Sequence, residues 1–119
     1  MVQSLQVCDT VTTWVDVCSI NAIAPDTGVC ALVEGEQVAI FRVGNGDELY
    51  ALSNYDPFSK AFVLSRGIVG DRSGNLKVAS PIYKQNFSLI NGQCLDDETV
   101  KIPTFPVRVA GDRVQVAIG

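Results

Sequence analysis

The stretch ASPIYKQNFSLINGQC, Ala79 to Cys94, decides how this chain is read. It opens on a loop centred on Pro81, carries an aromatic at Tyr83, and closes on Phe87-x-Leu89-x-x-Gly92, the pattern of a strand followed by a turn. Immediately upstream lies GIVGDRSGNLKVAS, in which Gly74-Asn75 separates two apolar runs and signals a hairpin. On the far side of that hairpin stands a second aromatic, proline-bearing segment, ALSNYDPF, Ala51 to Phe58. Two such loops flanking one hairpin set the frame for the rest of the chain.

The remaining segments read as β-structure. Trp14, Val17 and nearby β-branched residues make TWVDVCSI a strand. Pro25-Asp26-Thr27-Gly28 is a turn, with Pro fixing φ and Gly28 expected to take positive φ. VCALVEGEQVAIFRV gives two strands around Glu34-Gly35-Glu36, and Gly44 to Asp47 turns the chain into ELYALSN. Near the end, Val107 and Val109, then Gly111-Asp112, then Val114, Val116 and Ile118 alternate with period two on both sides of a turn. Pro103 and Pro106 bracket Thr104-Phe105 and suit an edge strand or a bend. One helical turn is expected in SKAFVLSRG, capped by Ser59 and ended by Gly67. Strands joined by short turns predict an all-β antiparallel sandwich or small barrel. No internal repeat or linker is read in the chain.

Composition narrows the function classes. The 119 residues suit one domain, and 47% hydrophobic with 18% charged residues describe a globular chain. Net charge is −4, and no run of Lys or Arg offers a footprint for nucleic acid or an anionic membrane. MVQSLQVCDTVTTW has neither the basic nor the apolar region of a signal peptide, so a cytoplasmic location is expected. Histidine is absent, which excludes His-based triads, His-ligated metal and His general bases. Cysteines stand at 8, 18, 30 and 94 without a C-x-x-C pair. Two disulfides are permitted by the count, but free core thiols suit a chain with no secretory signal.

The two loops resemble the cluster-binding loops of the Rieske family. There the first loop carries C-x-H and the second C-x-x-H, usually followed by Gly; two Cys hold one iron and two His the other. Ser80-Pro81 matches the Cys-Pro start, Tyr83 falls on the His position and Lys84 on the Gly position. In the first loop Asn54 falls on Cys and Asp56 on His, with Pro57 and Phe58 following. All four ligand positions are thus degenerate: Asn54, Asp56, Ser80 and Tyr83. The chain closely resembles the small subunits of cytoplasmic NAD(P)H-dependent nitrite reductases, a Rieske-like group lacking the ligands. It runs through Trp14 to Val43, through Ala51 to Leu89, and into the final GDRVQV hairpin, with residues 1–12 as an N-terminal extension to a domain over 13–119.

This resemblance implies an all-β Rieske-like fold with two loops at the former cluster-binding end, and no cofactor in this chain. It implies an accessory role beside a large subunit that carries FAD, sirohaem and a [4Fe–4S] cluster and reduces nitrite to ammonium. The partner-binding residues it points to are Tyr55, Asp56, Pro57, Phe58, Pro81, Tyr83 and Lys84. Tyr55 and Tyr83 read either as interface aromatics or as half-buried plugs of the vacated space. Asp56 reads most simply as a turn former bonding nearby backbone N–H groups, Cys94 as core, and Asp96 to Glu98 as a solvated loop. A stand-alone Rieske-type ferredoxin, or a small β-domain binding an unrelated ligand or scaffold, are the competing readings.

Overall fold

The computed structural model describes residues 13–117. The proposed extension over 1–12, Cys8 and Ile118 therefore lie outside the described residues. The strands are β1 Trp14–Ser19, β2 Thr27–Val33, β3 Glu36–Val43, β4 Glu48–Ser53, β5 Tyr55–Asp56 and β6 Ala61–Phe62. They continue with β7 Ile68–Arg72, β8 Asn75–Ala79, β9 Asn86–Ser88, β10 Thr104–Phe105, β11 Val107–Ala110 and β12 Arg113–Ala117. Short 3-10 turns occupy Ile20–Ala22 and Leu64–Arg66. No helix among the described residues is long and apolar enough to cross a membrane.

All strand pairs are antiparallel within four small sheets: β10-β4-β3-β2, β11-β12-β1, β9-β8-β7, and the two-stranded β5-β6. The middle of β3 explains how they stack. Val38, Ala39, Ile40 and Phe41 are each fully buried, a continuous apolar run that only a strand covered on both faces can hold. Successive side chains point to opposite faces. Val38 and Ile40 join Ile20, Ile23, Val33, Ala51, Val114 and Val116 in a core under β1 and β12. Ala39 and Phe41 join Leu52, Leu64, Val78, Phe87, Leu89, Cys94 and Ile102 in a second core under the β7-β8-β9 sheet. The four-stranded sheet is thus a wall between two cores. Each large apolar side chain so buried contributes roughly 1.5–3 kcal/mol.

Two expected hairpins form. Glu34 and Gly35 both take positive φ; in the second hairpin Ser73 and Gly74 do, one residue before the expected Gly74-Asn75, and Asn75 opens β8. Thr104-Phe105 is the edge strand that its flanking prolines suggested. Other expectations are corrected. In the Pro25 turn positive φ falls on Asp26, whose Oδ1 accepts from the Gly44 N–H at 2.9 Å. Gly28 instead sits in β2, where a Cβ would stand 2.6 Å from the Phe41 ring. The helical turn starts at Leu64, after β6, so Ser59 does not cap it; Gly67 does end it. Among the described residues Cys18, Cys30 and Cys94 are free, but only Cys94 is core; Cys18 is half-buried and Cys30 exposed.

Asp96 is not merely solvated. Its Oδ2 accepts from the Asn86 backbone N–H at 2.8 Å and its Oδ1 from Arg72 at 2.9 Å, so it ties β7 and β9 to the following loop. The Asn86 backbone N–H first, with Arg72 assisting, holds its carboxyl below the usual Asp value of 3.8. A depressed carboxylate stabilises fully above the ordinary Asp range and loses that contribution as pH falls through the folded value. Stability of the wild type should therefore fall as pH drops through the acid range, and Asp96→Asn should flatten that slope below about pH 4 in chemical denaturation at stepped pH. Gly92 closes the Phe87-x-Leu89-x-x-Gly92 segment at φ +79, with a Cβ position only 2.1 Å from the Ile102 carbonyl oxygen. Gly92→Ala should lose roughly 2–3 kcal/mol in urea unfolding.

Candidate functional site

The site is built from two five-residue turns of one pattern. Asp56-Pro57-Phe58-Ser59-Lys60 and Ser80-Pro81-Ile82-Tyr83-Lys84 each run polar residue, proline, apolar residue, any residue, lysine. In each, the lysine backbone N–H donates to the carbonyl of the first residue: Lys60 to Asp56 at 2.7 Å and Lys84 to Ser80 at 3.1 Å. Each lysine takes left-handed φ, +57 at Lys60 and +65 at Lys84. That explains why Lys84 falls where the Rieske pattern has glycine. This near-repeat was missed in the sequence, where no internal repeat was read.

The first residues of the two turns hold them together. The Ser80 hydroxyl donates a short hydrogen bond to Asp56 Oδ2, and both residues are fully buried. Asp56 Oδ1 accepts from the Phe58 N–H at 2.9 Å and more distantly from Ser59, the turn-forming role expected of it. Asn54 staples the base of the first turn to its neighbours. Its Oδ1 accepts from the Ser65 N–H at 2.7 Å, and its Nδ2 donates to Gln37 Oε1 at 3.2 Å and Cys30 Sγ at 3.4 Å. Its backbone N–H donates to the Gln37 carbonyl and its carbonyl accepts from Leu64.

The aromatic residues divide. Phe58 turns inward, packing on the second core with its ring 6.0 Å from that of Phe87. Tyr55 is half-buried and lies against Phe62, ring centroids 5.1 Å apart. Tyr83 is 61% exposed, so it does not plug a vacated space. Pro57 and Pro81 are half-buried, and Lys84 is exposed. Sequence reasoning missed Phe62, 54% exposed as the cross-strand partner of Tyr55, and Ile68, 69% exposed as the partner of Ala79 next to Ser80. With Ile82, these residues give the tip an apolar surface.

The family match covers residues 13–117 and is to the "Rieske-like [2Fe-2S] domain". The "Nitrite reductase (NADH) small subunit" of Escherichia coli (strain K12) is 48% identical over 103 residues, 87% of this chain and 95% of that one. The chain belongs to the nitrite reductase small-subunit group of the Rieske-like family. The solution structure of the Escherichia coli protein NirD superposes on it with a TM-score of 0.85 at 46% identity, covering 91% of this chain and 98% of that one. The same domain is found inside a longer protein, the "Nitrite reductase [NAD(P)H] large subunit" of Klebsiella oxytoca, which is 40% identical over 87% of this chain and 11% of its own length.

Rieske-like domains hold [2Fe–2S] through thiolate and imidazole donors, and the residues here do not fit that group. Asn54 and Ser80 are neutral and spend their side chains on Gln37, Cys30, Ser65 and Asp56. The Asp56 carboxyl is taken up by Ser80 and the Phe58 N–H. Among the described residues no three of His, Cys, Asp and Glu gather to hold a metal ion. What occupies the centre of this small-subunit tip is a hydrogen-bonded crosslink. Asp56→Ala should lose roughly 2–4 kcal/mol and Ser80→Ala roughly 1–2, because each leaves a buried polar group unpaired. The double variant should lose less than their sum in denaturant unfolding, as expected for two groups that act as a unit.

Proposed function

We propose that this chain is the accessory subunit of an NAD(P)H-dependent nitrite reductase and docks through its two-turn tip on the large subunit. The observation that carries the reading is the tip itself. It keeps the rigid double turn of a Rieske-like domain, fills the ligand positions with a buried Asp56–Ser80 crosslink, and surrounds it with exposed Tyr83, Ile82, Phe62 and Ile68. Large exposed apolar side chains gathered at one end of a domain suit a surface that is covered in use, with Tyr a favoured anchor.

On this reading the six-electron reduction of nitrite to ammonium takes place on the large subunit, whose FAD, sirohaem and [4Fe–4S] cluster carry the electrons. This chain holds no cluster and transfers no electron. Its contribution is mechanical: a preorganised tip loses little conformational entropy on docking and so can order the partner surface it covers. A stand-alone ferredoxin would need soft donors that Asn54, Asp56, Ser80 and Tyr83 do not supply. The occurrence of the same domain within a large-subunit chain of Klebsiella oxytoca supports a working position beside the large subunit. A cytoplasmic location follows from the nucleotide the complex consumes.

Nitrite-dependent NAD(P)H oxidation by the large subunit should rise when this chain is added. Equal rates with and without it would end the reading. Tyr83→Ala should weaken the stimulation about tenfold in the concentration required, without shifting the melting temperature of this chain, since Tyr83 is exposed.

A further inference from the structure

Lys60 and Lys84 occupy equivalent places, the last residue of each turn, and both stand in left-handed backbone. That conformation suits glycine, and asparagine or aspartate after it; a lysine there is strained. Three other non-glycine residues share it, and each has a local reason. Glu34 and Ser73 are the first residues of two-residue hairpin turns, and the Asp26 carboxylate accepts from the Gly44 N–H. At the two lysines it is the conformation that closes each five-residue turn, the backbone N–H donating to the carbonyl four residues earlier, and among the described residues no side-chain hydrogen bond accompanies it. Both are exposed, and neither side chain makes a hydrogen bond or ion pair among the described residues.

Within the two turn segments the exposed charge is of one sign, and the Glu34 and Glu36 carboxylates belong to the neighbouring hairpin. Residues 54–66 and 80–85 hold Lys60, Arg66 and Lys84, and their single carboxylate, Asp56, is fully buried. This cationic tip belongs to a chain whose net charge is −4. The exposed neighbours Phe62, Ile82 and Tyr83 make the surface amphipathic, which suits a protein face more than a small anion.

We infer that Lys60 and Lys84, the closing residues of the two turns, present two cations to acidic side chains of the large subunit, one from each side of the Asp56–Ser80 crosslink. The inference rests on the docking role proposed above and adds the partner's chemistry: an apolar recess with a carboxylate rim. Backbone closure of each turn fixes where the cation leaves the tip. Charge at the rim then sets the association rate and the register.

The test exploits the strain. Lys60→Gly/Lys84→Gly removes two side chains and relieves two left-handed residues, so its melting temperature should equal or exceed that of wild type. Binding to the cofactor-loaded large subunit, measured by biolayer interferometry at stepped salt, should weaken roughly two- to thirtyfold at low ionic strength, with a shallower salt dependence. Lys60→Asn/Lys84→Asn, which tolerates the same backbone, should behave alike, and Lys60→Arg/Lys84→Arg should retain most of the affinity. Unchanged binding by the Gly and Asn pairs, while the wild type binds, overturns the inference and leaves the docking role standing. A lowered melting temperature in both pairs overturns it as well, since the lysines would then be structural. Lost activity at unchanged subunit affinity would place them on a small anion instead and likewise overturn it. Failure of the wild type to bind the large subunit at all defeats the docking role itself.

Discussion

The hydrogen bond from the Ser80 hydroxyl to the Asp56 carboxyl is the constraint on which the tip depends. It joins residues 24 apart in the chain, from two turns that have no strand pairing with each other. Buried as it is, the bond lies out of competition with water, and neither partner can be removed without stranding the other. A cluster-holding domain is tied at this point by metal bonds. Here the tie is made of protein groups, and Asn54 adds a second anchorage through Gln37 and the Ser65 N–H.

From that tie the exposed surface follows. Phe58 is drawn into the core beside Phe87, so the first turn is seated on the β7-β8-β9 side of the wall. Phe58 packs inward while Tyr83 and Ile82 remain outside. Tyr55 and Phe62 lean on one another across the short β5-β6 ladder, which stiffens the first turn without metal. The geometry of contact is therefore a product of packing beneath it.

Hairpins and the two loops were legible in the sequence because turn residues and period-two alternation are local. Glu34-Gly35 and the Val107 to Val116 alternation need no knowledge of the rest of the chain. The degenerate ligand positions were legible through resemblance, since each could be matched residue by residue. What was hidden depends on distant neighbours. Ser59 looked like a cap, but the β5-β6 ladder intervenes before the helical turn; its hydroxyl has no hydrogen-bond partner among the described residues. Cys30 looked like core, yet β2 is the outer strand of its sheet, and half of such a strand faces outward. Asp96 looked free until folding brought Asn86 and Arg72 to it. The five-residue near-repeat was too short for any periodicity, and it becomes meaningful only once the two turns lie side by side.

The wall strand β3 has one more implication. Val38 and Ile40 lean on one core while Ala39 and Phe41 lean on the other, so a single stretch of backbone is shared by both. Loosening either face withdraws support from the strand that the opposite face needs. The two halves are thus thermodynamically one cooperative unit, and a disturbance at the tip is felt at the far sheet as lost stability, with no hinge between them.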